Sequence, residues 1–134
     1  MPAAPVLDSR ALLVFLRGEP GDDRVAALLE KAGERDAPLH MTEVNYAEVR
    51  YMVTRKDGPA RWTEIARELP TLPIEFHPAT RALADLAADF KARHRLSLAD
   101  AFAAALAKER KAELVTGDPE FKAVEKEIKI HWLG

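Results

Sequence analysis

Ala4-Pro5-Val6-Leu7-Asp8, running into Ser9–Arg17, is the stretch that decides the fold. A short apolar run that stops at an acid predicts a short buried strand. Leu12, Leu13 and Leu16 then share one face at helical spacing, so Ser9–Arg17 predicts a helix. Gly18-Glu19-Pro20-Gly21 breaks it, and Asp22 or Asp23 is placed to cap a second helix carrying Val25, Leu28 and Leu29. The pattern then repeats. Pro38–Met41 predicts a strand, and Thr42 opens a helix whose inner stripe reads as Val44, Ala47, Tyr51 and Met52. That helix ends at Lys56-Asp57-Gly58-Pro59, and Arg61–Leu69 predicts a short one closed by Pro70. Leu72–Phe76 reads as a third strand, Glu113–Thr116 as a fourth and Ile128–Trp132 as the last. Between them, a long helix starts at Pro78 and ends near His94, and another covers Leu98–Ala112 with Phe102, Ala103 and Leu106 inside. Strands alternating with helices predict an α/β fold with a mostly parallel sheet covered on both faces. Residues 1–134 read as one domain.

Composition narrows the function. The 134 residues carry 20 basic and 22 acidic side chains, a net charge of -2, which argues against a strongly basic nucleic-acid binder. Cysteine is absent, so thiolate nucleophiles, disulfides and Cys-ligated zinc are excluded. No apolar run reaches the ~20 residues of a membrane span. Met1 to Val6 has no basic start and no long apolar stretch, so no signal peptide is expected and a cytoplasmic location is the default. There is no repeat period, and the Ala-rich segments read as packing faces.

In parallel sheets, ligands bind beyond the carboxyl ends of the strands. Asp8 follows the first strand and Asp118 the fourth, so both are expected on that rim. Each has a structural explanation as a helix cap worth about 1 kcal/mol. Ser97-Leu98-Ala99-Asp100 resembles a capping box, and Glu48 alone would be a solvated helix face. Together, however, these are carboxylates in largely apolar settings. Holding several close together without a counter-charge costs several kcal/mol, so it requires a cation or raised pKa values. Oxygen ligands alone point to Mg²⁺ or Mn²⁺. Such an ion suits phosphodiester hydrolysis, by lowering the pKa of the attacking water and stabilising charge on the phosphate. Glu43 competes with Glu48 on the same helix, but five positions correspond to about 140° of rotation, so only one can face a given pocket.

These stretches carry a family resemblance. Val6-Leu7-Asp8-Ser9, Thr42 with Asn45-Tyr46-Ala47-Glu48-Val49, Leu96-Ser97-Leu98-Ala99-Asp100-Ala101, and Leu114-Val115-Thr116-Gly117-Asp118 with Phe121 stand in the order of a PIN-domain ribonuclease. Over nearly its whole length the chain looks most like the VapC toxins of bacterial and archaeal toxin–antitoxin pairs. The resemblance implies a three-layer α/β/α sandwich with a mostly parallel central sheet. It implies that Asp8, Glu48, Asp100 and Asp118 form an acidic metal pocket that is also catalytic. Thr116 and Ser9 would support it by hydrogen bonds, and Asn45 matches an Asn often found one turn before the Glu. The implied activity is Mg²⁺-dependent endonucleolytic cleavage of RNA, with Mn²⁺ as a substitute ion. The implied partners are RNA, an antitoxin protein and a second copy in a homodimer. Arg10 stands where many relatives carry a small residue or a hydroxyl, and Val49–Val53 lacks a glycine common there.

Other readings compete. Receiver domains and aspartyl phosphatases also place Asp at strand ends, but they need a second acid where this chain has Ser9-Arg10. A non-toxin PIN RNase, or a non-catalytic module whose acids cap helices, remains open. Arg10, Arg50 and Arg93 are candidate phosphate contacts, though ordinary surface solubility explains each as well. His40, His77, His94 and His131 read as structural or surface residues. Trp62 and Trp132 read as packing, while Tyr46 and Tyr51 fit either the core or a partner groove.

Overall fold

A computed structural model describes residues 3–134; Met1 and Pro2, at the start of the segment read for a leader, lie outside them. Strands β1 (Val6–Leu7), β2 (Leu39–Thr42), β3 (Ile74–His77), β4 (Leu114–Thr116) and β5 (Ile130–Trp132) form one sheet in the order β3-β2-β1-β4-β5. Every pairing is parallel. Among the described residues, the α-helices are α1 (Ser9–Arg17), α2 (Asp22–Glu34), α3 (Glu43–Asp57), α4 (Pro59–Glu68), α5 (Arg81–Arg93) and α6 (Leu98–Arg110). Short 3-10 turns at Leu69–Thr71 and Pro119–Val124 complete the elements.

The central strands explain why the sheet is covered on both sides. Val6 and Leu114, opposite each other in register, enter a core with α5 and α6. Their neighbours Leu7 and Val115 point to the other face, into a core with α1 and α2. Full burial of such side chains is worth about 1.5–3 kcal/mol each, so an isolated layer could not stand. A third core joins α1 to Met41 of β2 and to Val49, Val53, Trp62 and Ile65 of α3 and α4. The result is a three-layer α/β/α sandwich. Helix α6 lies directly on the sheet because its inner surface is small: Ala101, Ala103, Ala104, Ala105 and Ala107 are all buried. Among the described residues, no helix is long and apolar enough to cross a membrane.

Several details differ from expectation. Gly21, not Asp22 or Asp23, precedes α2 as its cap, and the two acids sit in the first turn, where they complement the helix dipole. The buried stripe of α3 is Asn45, Val49 and Val53; Ala47 and Tyr51 are exposed. Apolar spacing misled there because the inward position nearest the sheet is taken by a polar side chain. Helix α5 starts at Arg81 behind a Thr80 cap rather than at Pro78, and a 3-10 turn follows Asp118. Gly58, at φ +94°, ends α3 and turns the chain directly into α4.

Candidate metal and active-site cleft

The sheet order reverses direction between β1 and β4, which is where open α/β sheets form a crevice. Asp8 leaves β1 there and caps α1, its Oδ1 accepting from the Ala11 amide at 2.7 Å. Its Oδ2 accepts from the Thr116 hydroxyl at the end of β4. Thr116 Oγ1 in turn accepts from the Asp118 amide at 3.0 Å, so one hydroxyl sets both acids on the rim. Asp118 accepts from the Glu120 amide at 3.0 Å, and that tight turn brings Glu120 back to the cleft.

Asp100 arrives from the other side, on the first turn of α6. Ser97 caps that helix by accepting from the Asp100 amide at 3.1 Å. No reciprocal bond from the Asp100 carboxylate to Ser97 is formed among the described residues, so the resemblance to a capping box holds for only one of its two bonds. One oxygen from each of Asp100, Asp118 and Glu120 lies within 4.8 Å of the others. Glu48 on α3 faces the same opening, a cleft of about 420 Å³ lined also by Ser9, Arg10, Ser97 and Lys56. Glu43 is exposed and does not line it.

Asn45 holds these elements in place. It is fully buried at the start of α3. Its Nδ2 donates to Ser9 Oγ at 3.0 Å and to the Ala99 carbonyl at 3.1 Å. Ser9 donates to the Asn45 carbonyl at 3.3 Å, and Thr42 donates to Asn45 Oδ1 at 2.5 Å. The first turns of α1, α3 and α6 are thereby tied at one point. Those are the turns that carry or adjoin Asp8, Glu48 and Asp100.

The electrostatics of the cleft are unbalanced. Burial pushes the Asp8 carboxyl up to about 7, against the Thr116 and Ala11 hydrogen bonds, with Asp118 and Glu48 adding repulsion. Asp100 is pushed up to about 8, first by burial, then by the Glu120 carboxyl beside it, then by Asp8, Asp118 and Glu48. Burial and mutual repulsion thus favour the protonated forms of Asp8 and Asp100. An all-oxygen donor set of clustered carboxylates is the environment a hard divalent ion prefers. Arg17, also on the cleft wall, is turned to Asp57 at 3.1 Å.

The other basic candidates separate. Arg10 lines the cleft, its Nε lying 3.5 Å from where a Cβ on Gly117 would stand. Arg50 stacks over the Trp62 ring, and Arg93 is engaged by Asp89 and Glu127; neither lines the cleft. Trp62 is buried, and Tyr46 packs edge-on against Trp62 and Phe76, so both serve the core. Tyr51 is half exposed. Glu120 escaped sequence reading. Its only signal was its position just after Asp118-Pro119, where a tight turn returns the second side chain toward the first.

The family model for the PIN domain matches residues 6–127. Among curated proteins, none matches the sequence. Among solved structures, the chain is similar to the DNA-bound VapBC of Salmonella typhimurium at a TM-score of 0.77 and 16% identity, with 100% of each chain covered. It is similar to VapC20 of Mycobacterium tuberculosis, a sarcin–ricin loop cleaving toxin, at 0.66 and 18%, covering 90% of this chain and 94% of that one. It is also similar to VapBC-5 of the same organism, from the VapBC family of toxin–antitoxin systems, at 0.61 and 24%, with 98% of each covered.

Proposed function

The chain belongs to the PIN domain family, and from that footing we propose that it is a divalent-metal-dependent endoribonuclease, the toxin of a toxin–antitoxin pair. The observation that supports this reading most is the convergence of carboxylates at the sheet crevice, where one oxygen from each of Asp100, Asp118 and Glu120 lies within 4.8 Å of the others and Glu48 lines the same opening. Asp8, Glu48, Asp100 and Asp118 are the proposed Mg²⁺ ligands and catalytic residues, with Mn²⁺ as a substitute. When bound, the ion supplies an activated water and charge stabilisation at the scissile phosphate. Thr116 holds the Asp8 carboxylate and the backbone amide of Asp118, which sets the two acids side by side. Ser9 and Asn45 hold the helices that present Glu48 and Asp100. Glu120 is a further acid able to complete the set. Arg10 supplies a phosphate contact on the cleft wall, and RNA binding is expected to depend on both metal and salt.

An antitoxin protein and a homodimer are proposed as partners by likeness to the VapBC structures. The test is cleavage of a labelled structured RNA with Mg²⁺, with chelator, and by Asp100→Asn. Cleavage by the wild type alone, and only with metal, supports the reading. An Asp100→Asn protein with full activity overturns it.

A further inference from the structure

Of the buried polar side chains, Asp8, Ser9, Thr42, Asn45, Asp100 and Thr116 all belong to the cleft or its supports. His40 is the exception. It sits on β2, at 5% exposure, and does not line the cleft. Glu75 is its register partner on β3, and His77 follows two positions on, so strand alternation puts all three on one face of the sheet.

The donor atoms converge. His40 Nδ1 lies 2.8 Å from His77 Nε2 and 3.6 Å from Glu75 Oε2, and His77 Nε2 lies 3.9 Å from the same oxygen. A point equidistant from three atoms so spaced is about 2 Å from each, the length of a Zn–N or Zn–O bond. Regular tetrahedral angles need the imidazole nitrogens to part by about 0.5 Å, from hydrogen-bond spacing to that of co-ligands. Glu75 is exposed and its side chain is free to adjust. Two nitrogens and one carboxylate are a donor set for a borderline-soft ion, not for Mg²⁺.

We propose that His40, Glu75 and His77 bind a late first-row divalent cation, Zn²⁺ by donor chemistry, with one position open to water. The ion pins edge strand β3 to β2. The site is separate from the acidic cleft and its failure leaves the nuclease reading untouched.

The test is competition for Zn²⁺ between the protein and a chromogenic chelator, with millimolar Mg²⁺ present to fill the cleft. Wild type and Asp100→Asn are each expected to take up one Zn²⁺. Loss of a ligand in His77→Gln is expected to weaken uptake by at least about tenfold, and Glu75→Gln, exposed and safe for folding, by a smaller factor. Co²⁺ in place of Zn²⁺ is expected to give visible absorption that His77→Gln loses. Equal Zn²⁺ uptake by wild type, His77→Gln and Glu75→Gln overturns the proposal, as does no uptake by wild type. Uptake lost in Asp100→Asn but kept in His77→Gln assigns the ion to the cleft and overturns it too.

Discussion

Two clusters of carboxylates in this chain meet opposite fates. At the end of α5, Glu127 lies 2.8 Å from Arg93 and 2.7 Å from His94, with Asp89 also on Arg93. The Arg93 guanidinium, then His94, holds the Glu127 carboxyl down to about 2. At the crevice, neither Asp8 nor Asp100 is paired with a basic side chain among the described residues, and burial with neighbouring acids raises them to about 7 and about 8. The first cluster satisfies itself with local ion pairs on the surface. The second is held by Thr116, Ser9 and Asn45 with its acids close together, the arrangement that the proposed metal site would use.

The largest effect expected from breaking this contrast is on activity. Asp100→Asn should lower metal-dependent RNA cleavage by more than about a hundredfold, the scale lost when a charge-stabilising group leaves an active site. The same change should leave the metal-free fold intact, and at pH 8 should raise its unfolding midpoint by removing repulsion. Glu127→Gln should leave cleavage unchanged.

The next effect is on the scaffold. Asn45→Ala strips the shared partner from Ser9 and the Ala99 carbonyl, and leaving buried groups unpaired costs about 1–3 kcal/mol. Denaturant unfolding should register that loss, and cleavage should fall further than stability because Asp8, Glu48 and Asp100 lose their common tether.

The pH dependence of the metal-free protein sharpens the comparison further. Asp8 and Asp100 hold protons in the fold to about 7 and about 8, well above the unfolded value of 3.8. Between those limits the native state binds more protons than the unfolded chain, so these two groups make stability fall as pH rises. Glu127 acts with the opposite sign: its contribution is present above the unfolded pKa of 4.5 and is lost as pH falls toward 2. Thermal scans from pH 4.5 to 8 should show a falling midpoint that flattens in Asp100→Asn. Mg²⁺ should restore the midpoint at pH 8 and do little at pH 5, where Asp8 and Asp100 are protonated. The smallest effect belongs to Glu127→Gln at neutral pH, a slight loss of midpoint that added salt should erase, because the pair is on the surface.

Much of this was legible in the residues. Every strand begins or ends within a few positions of its apolar run, and Asp8 and Asp118 lie on the rim that parallel strands define. Ser9–Arg17 forms the expected helix to the residue, stopped by Gly18 at φ +63°. The misreadings share a cause. Ala47 and Tyr51 look like a core stripe, but the inward face of α3 is set by Asn45, whose partners come from α1 and α6 and leave no trace in local periodicity. The alignment of His40 with Glu75 and His77 depends on the register of two strands far apart in sequence. Glu120 reaches the cleft only through a 3-10 turn that apolar spacing does not encode.

The most direct measurement is thermal unfolding of the wild type and Asp100→Asn at pH 8 with increasing Mg²⁺, the ion that the two-histidine cluster should refuse. At about 100 times its dissociation constant, a ligand adds about 2.7 kcal/mol, so the wild-type midpoint should climb with Mg²⁺ while the variant stays flat. Equal curves for the two proteins, whether both rising or both flat, would contradict a cleft built around a divalent ion.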